Sequence, residues 1–404
     1  MAAQSASQGF AFDVPARPIA MQWAGLDIEI GVSPAAIEAE WQALELSGTA
    51  SVFQSYKLAL LWIAHAAAAR GEEPLIVTGR EGAALRMVLP LAIVRAGGVA
   101  VLQWLAQSHA NYGMGLLAPN LIDRLEVGDC DELMTRIARV VGAHVVHLDR
   151  QPARWADRSN PFAASPCARL TANDTYIVRL EGDYAAQYKR LFPKRTLQPI
   201  KRRQRRLEDM GALSFAPPQD RESRRKAFAW FVARKRDQLA ETSGQNPFDE
   251  PGITPFYEAL LEEGGQFEIE QLLVGTQRAA LGMTLYDRDM ATGINTAHAD
   301  QFSRGSPGTL LQHHIIAKVH ARGARAYDLG PGYLPYKMDW APQVIPLLAT
   351  THAVAVVGLP MQIRLVAATL LKSYVKRSPR LTGFVRSLRR TLQRLRPRHG
   401  PAAA

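Results

Sequence analysis

"RGSPGTLLQHHIIAKVHARGARAYDLG", residues 304–330, starts with an Arg and a Gly-containing turn, passes through an apolar-periodic run, and ends at a Gly and a strand-like stretch. Leu311, Ile315 and Val319 recur at four-residue spacing, the buried stripe of a helix, and Gly323 stops it. The question is why Arg304, Gly305 and Gly308 stand directly before that helix. One answer is an anion: a helix N-terminus presents unpaired N–H groups and a positive dipole end. Gly305 and Gly308 would let backbone approach a ligand, Pro307 needs no N–H there, and Arg304 could grip a phosphate with two donors. Ser306 and Thr309 complete the candidate loop. The other answer is an ordinary loop that needs glycines. No GKS or GKT follows, so a P-loop does not fit.

Upstream of this stretch lie helical runs at "DYAAQYKRLF", "QPIKRRQRRLEDMG", "RESRRKAFAWFVARKRDQLAE" and "ITPFYEALLEEGG", then strand runs at 267–275, 278–287 and 290–299. The helix and the strand "RAYDLG" follow. The first half has the same order: helices at 33–45 and 53–70, strand runs at 74–79, 83–95 and 99–106, a helix at 131–142, and a strand at 143–149. Helices, an antiparallel meander, a helix and a strand therefore occur twice, which predicts an α/β chain of two related halves. Each half is expected to be a mostly antiparallel, mixed sheet flanked by helices. The predicted divisions are a flexible leader at 1–20, halves at 21–165 and 166–358, and a basic tail at 359–404. In the first half the corresponding connection, "LLAPNLIDRLEVGDCDE", puts acids before its helix, so only the second half suits an anion.

The chain has 404 residues, 47% of them hydrophobic, enough for a substantial core. Its charge is unevenly placed. Of 48 Lys and Arg, 11 fall in 341–404, which has no Asp or Glu; the remainder balance the 37 acidic residues. A neutral body argues against a protein built around nucleic acid. A basic tail favours an acidic surface, such as phospholipid. The tail segments "LPMQIRLVAATLLKSYVKR" (359–377) and "PRLTGFVRSLRRTLQRLRPRH" (379–399) interleave basic and apolar residues, as an interfacial helix does. The first twenty residues lack the pattern of a signal peptide, and no run of about 18 uncharged apolar residues is present. Residues 344–363 read as buried strand and loop. Cys130 and Cys167 form no CxxC pair and suit a reducing cytoplasm, the expected location. His313 and His314 point about 100° apart on a helix, so a shared metal is not expected.

A meander, a Gly-containing loop, a helix and a strand in this order resemble the acetyl-CoA core of GNAT acyltransferases. Residues 304–340, with 51–66, 88–106, 111–119 and 281–287, resemble the CelD/BcsL-type acetyltransferases named for cellulose biosynthesis, which are similar to FemAB-type aminoacyltransferases with two GNAT-like halves. The resemblance implies acetyl-CoA as co-substrate, no metal, and direct attack by an amine or hydroxyl of a saccharide or envelope precursor. The usual GNAT loop reads Q/R-x-x-G-x-G/A, and this chain has Leu310 where the second small residue would stand.

His298 and Asp300 end the third strand just before the loop, where His298 could serve as general base. Against this stands a strand-end His bonded to local backbone. "YDLGPGYLPYK" (327–337) supplies Asp328, Tyr333, Tyr336 and Lys337. Asp328 is placed for the acceptor and Tyr336 for protonating the leaving thiolate; an Asp328–Lys337 ion pair under packed tyrosines is the alternative. His109, Asn111 and Tyr112 ("SHANYG") are candidates to line a cleft between the halves, with Tyr333 opposite. The run at 189–211 is dense in Arg and reads as a solvated helix face. Two other functions remain open: an exopolysaccharide assembly factor with a degenerate CoA site, and an aminoacyl-tRNA-dependent transferase that meets tRNA through residues 201–206.

Overall fold

The computed structural model describes residues 19–240, 246–341 and 344–377. The first half contains β1 (Ile19–Trp23), β2 (Leu26–Ile30), α1 (Glu38–Ser47), α2 (Tyr56–Trp62), β3 (Glu72–Glu81), β4 (Ala84–Ala96) and β5 (Val99–Trp104). A short β6 (Leu116–Leu117) and α3 (Pro119–Ile122) lead to α4 (Asp129–Val140) and β7 (Val145–Pro152). A small hairpin, β8 (Arg154–Trp155) and β9 (Arg158–Ser159), follows. The second half comprises β10 (Ala168–Arg179), α5 (Tyr184–Leu191), α6 (Lys194–Glu208), β11 (Leu213–Ala216), α7 (Arg221–Ala240) and α8 (Ile253–Glu263). It continues with β12 (Phe267–Val274), β13 (Gln277–Tyr286), β14 (Met290–His298), α9 (Pro307–Ala321), β15 (Ala326–Pro331), α10 (Pro335–Trp340), β16 (Val344–Ala353) and α11 (Leu359–Arg377).

The larger strands join one sheet in the order β1-β2-β3-β4-β5-β7-β16-β10-β15-β14-β13-β12-β11. Within it the duplication is explicit. The meander β3-β4-β5 leads through α4 to β7, parallel to β5; the meander β12-β13-β14 leads through α9 to β15, parallel to β14. The two repeats meet through β16, antiparallel to β7, and β10, antiparallel to both β16 and β15. This is the mixed, mostly antiparallel tandem architecture expected from the sequence.

Packing joins the halves as well. Phe228 and Phe231 of α7, and Phe256 and Tyr257 of α8, share one buried cluster with Trp62, Ile76 and Leu89 of the first half. A second cluster holds α9 by Leu311, Ile315 and Val319 against Leu272 and Ala280 of the sheet and Leu207 of α6. Each such fully buried side chain contributes about 1.5–3 kcal/mol. Pro307 opens α9, and Gly323, at φ +84, releases the chain toward β15. β1 begins at Ile19, within the stretch expected as a leader. Residues 344–353 are a strand, as expected, whereas 359–363 open α11. The basic segment 379–399 lies outside the described residues.

Candidate active site

The site begins where two parallel strands part. β14 and β15 pair only at Met290↔Ala326, Ala291↔Tyr327 and Thr292↔Asp328. On its other edge β14 bulges at Ile294, between the pairs Thr284↔Gly293 and Met283↔Asn295. Beyond Thr292 the strands diverge, so their facing edges lack strand partners. Gly293 sits at the fork because a side chain there would meet the Tyr327 hydroxyl at 2.6 Å. At the end of β15, Gly330 turns the chain at φ +76, a conformation costly for any other residue.

The fork opens into a cleft of about 620 Å³. Residues 293–296 of β14 and 329–331 of β15 form its walls, and Ser306, Pro307, Gly308, Thr309 and Gln312 of α9 form its end. Ser306 caps α9 in a left-handed backbone, φ +48, with no side-chain bond to the helix. Gly308 has room around it; a Cβ would come no nearer than 3.4 Å, to Thr296. Gly305 has a different part. Its α-carbon packs directly on Leu207, where a side chain would collide, and it is not among the cleft's lining residues. Arg304 is exposed and also stands outside that lining.

The lining carries Lys235 and Lys337 and, among the described residues, no carboxylate. Burial holds both amines down, to about 8. Lys337 donates to the carbonyls of Gly330 and Pro331, at 2.8 and 3.2 Å, and sits over the Tyr176 ring. The buried amide nitrogen of Asn111, Nδ2, belongs to this lining and has no hydrogen-bond partner among the described residues, while the Gln312 side chain bonds the Tyr327 hydroxyl. A buried donor left unpaired costs about 1–3 kcal/mol, so the Asn111 amide suits a ligand rich in acceptor oxygens.

His298 lines the cleft, and burial pulls its imidazole below the ordinary value. The Gln238 amide nitrogen lies 3.2 Å from its Nδ1 and donates to its backbone oxygen at 3.0 Å. Asp300 stands apart on the exposed turn after β14, 3.9 Å from Arg234. Tyr336 is part of the lining, and burial raises its hydroxyl. Tyr333 is 64% exposed, so it stands at the surface.

Asp328 is fully buried one pleat behind the cleft. It accepts from Tyr112 Oη, from Thr175 Oγ1 at 3.0 Å and from the Gly330 N–H at 2.8 Å. Burial pushes its carboxyl up, and these three donors oppose that rise. Of the first-half candidates, Asn111 reaches the cleft and Tyr112 reaches Asp328. His109 goes elsewhere: it bonds the Tyr257 hydroxyl at 3.0 Å and stacks on Trp62, and burial drops it to about 4. His313 bonds Tyr188 and His314 stacks on Phe215, so the two rings point apart.

The equivalent place in the first half is closed. Pairing of β5 with β7 stops at Leu102↔Val146, and Gly113 packs against Trp104 where a ligand would enter. The helix there opens with Asp129, Asp131 and Glu132, which repel an anion.

Sequence reading missed Lys235, Gln238 and Gln312. Lys235 lies in "ARKRDQ", indistinguishable in sequence from a solvated helix face. Gln312 carried a usable signal: it stands one turn after Gly308, on the same face of the helix.

The duplicated sheet and the single open fork define a tandem GNAT-like fold. Residues 194–338 match the family model described as an acetyltransferase (GNAT) domain, the segment that contains most of the cleft. Among solved structures, FemX superposes with a TM-score of 0.53 at 10% identity, over 82% of this chain and 98% of that one. The C-terminal domain of a protein provisionally described as a lysylphosphatidylglycerol synthetase, from Agrobacterium fabrum, gives 0.51 at 11% identity, over 84% and 97%. A conserved protein of unknown function from Bacteroides thetaiotaomicron gives 0.50 at 8% identity, over 79% and 97%. At these identities the likeness concerns the fold. No curated protein matches the sequence.

Proposed function

We propose that the protein is an acyltransferase that moves an acetyl or other acyl group from its CoA thioester to an amine or hydroxyl of a saccharide or envelope precursor. The observation that carries this reading is the cleft's donor inventory. Parted strand edges, the α9 N-terminus, two lysines and the unpartnered amide nitrogen of Asn111 surround one space without a carboxylate. Such a lining complements the pyrophosphate and amide oxygens of CoA. The parted edge of β14 offers backbone partners to the extended pantetheine arm, as an open strand does to a peptide. The saccharide acceptor rests on the resemblance of residues 304–340 to CelD/BcsL-type enzymes.

In this reading the acceptor nitrogen or oxygen attacks the thioester carbonyl, forming a C–N or C–O bond as the C–S bond breaks. His298 takes the acceptor's proton on its imidazole, and the Gln238 amide, which donates to the His298 backbone oxygen, positions the ring. Tyr336 returns a proton to the departing thiolate. Asp328 has no contact with reactants; it fixes the Gly330 turn that shapes the cleft.

A second reading has one specific observation behind it. Lys201, Arg202, Arg203, Arg205 and Arg206 are exposed along α6, and Leu207 of the same helix packs on Gly305 beside the entry to α9. This basic face suits the CoA phosphates, and it equally suits the backbone of an aminoacyl-tRNA, the donor of FemAB-type transferases. Thermal-shift titration separates the two. Acetyl-CoA and CoA should raise Tm by several degrees and charged tRNA should not; the reverse order would replace the acyl-CoA reading.

A further inference from the structure

α11 turns a stripe of apolar side chains to the solvent. At 100° per residue, Leu359, Ile363, Ala367, Leu370, Leu371 and Tyr374 fall within an arc of about 120°. All six are exposed, Ile363 by 68%, Leu371 by 64% and Tyr374 by 69%. The side facing β10 and β16 combines half-buried Met361, Leu365, Val366 and Ala368 with polar residues that hydrogen-bond the sheet. Gln362 accepts from the Ala353 N–H at 2.9 Å, Ser373 donates to the Leu170 carbonyl at 2.9 Å, and Lys376 donates to Asn173. The helix is thus held on the sheet by apolar contacts and hydrogen bonds while a further apolar stripe points away. Val356 and Val357, just before it, are exposed as well.

The far end of α11 lies beside the cleft. Asn173, which accepts from Lys376, also faces Gly332 on the loop that follows β15. On that loop and the adjoining helix, Tyr333, Leu334 and Met338 are exposed, and Leu334 belongs to the cleft lining. An exposed apolar stripe of this kind marks an interaction site. Charge identifies the occupant: Arg364 borders the stripe, and from residue 341 onward the chain has 11 Lys and Arg and no acid.

We infer that the outward stripe of α11 seats on an anionic lipid surface, which places the mouth of the cleft close to the bilayer. Among the described residues, the segment Val356–Lys376 is the one helix long and apolar enough to cross a membrane. Its inward hydrogen bonds to Ala353, Leu170 and Asn173 favour a helix lying on the surface, with Arg364 at headgroup level. This inference does not depend on which acyl group is transferred, and its test leaves acetyl-CoA binding as a separate readout.

Full-length protein is centrifuged with phosphatidylglycerol–phosphatidylcholine vesicles and with phosphatidylcholine vesicles alone. Wild type should pellet with the anionic vesicles, remain soluble with the neutral ones, and leave the pellet on carbonate washing. Leu371→Glu with Tyr374→Glu should reduce the bound fraction about fivefold or more, because two charges enter the apolar interface. Tm and acetyl-CoA affinity should stay unchanged, as both side chains are exposed; Ile363→Gln with Leu370→Gln provides a milder second variant. Four results would overturn the inference: no pelleting of wild type; pelleting that neither variant reduces; resistance to carbonate, which indicates a spanning helix; or a concentration-dependent dimer that the same variants abolish.

Discussion

Tyr112 Oη donates to both carboxylate oxygens of Asp328, at 2.9 and 2.7 Å, across the seam between the two halves. Neighbouring Asn111 lines the cleft, so one dipeptide of the first half both ties the seam and furnishes the second half's site. Hydrogen bonds to a charged group contribute about 1.5–3 kcal/mol each. Tyr112→Phe should lower stability by about that amount and Asp328→Asn by somewhat more, since the latter disturbs three donors. A double-mutant cycle in urea should give a coupling of at least about 1 kcal/mol. Additive effects would make the contact incidental.

His298 should behave as a proton acceptor with a depressed pKa. Because burial pulls it below 6.5, the ring is neutral at pH 7 and stays neutral into mild acid. The acid limb of kcat/KM should therefore fall below pH 6.5. His298→Ala should lower turnover by roughly 10²-fold and leave acetyl-CoA affinity close to wild type. Equal turnover in the variant would return the ring to a strand-end contact with Gln238.

Glu45 gives a pH test of stability that is independent of the active site. It accepts the Tyr56 N–H at 2.5 Å, and burial pushes its carboxyl from 4.5 up to about 7, with a smaller push from Asp287. Between those values the folded chain keeps a proton that the unfolded chain releases. Stability from this group therefore falls as pH rises from 4.5 to 7 and is level above. Glu45→Gln keeps the acceptor oxygen and removes the ionisation. Its Tm should match wild type near pH 5 and exceed it at pH 8; an equal difference at both pH values would contradict the assignment.

The meanders, α9 and the strand after it were legible because their residues alternate or recur every turn, as Leu311, Ile315 and Val319 do. β10 was not. Its pairing slips between Leu170 and Asp174 on one side and between Thr175 and Ile177 on the other, which breaks the alternation that marks a strand. Gly305 and Gly308 looked equivalent in sequence, yet one is a packing contact and the other faces the cleft. That difference is set by Leu207, about a hundred residues earlier. Asp328 stood next to the right loop but turned inward, because its partners Tyr112 and Thr175 come from distant segments. The outward stripe of α11 could not be read without knowing which side met the sheet.

The central claim is that the fork between β14 and β15, closed by the α9 N-terminus, holds acyl-CoA. Isothermal titration of acetyl-CoA into wild type and Gly308→Asp tests it most directly. A Cβ at Gly308 has space, with Thr296 at 3.4 Å, so the variant should fold normally. Its carboxylate would stand where the phosphates are expected and should weaken binding about tenfold or more, equivalent to about 1.4 kcal/mol. Wild type should bind with one site per chain. Equal affinity in both proteins, or no binding by a wild type that unfolds cooperatively, would contradict the account.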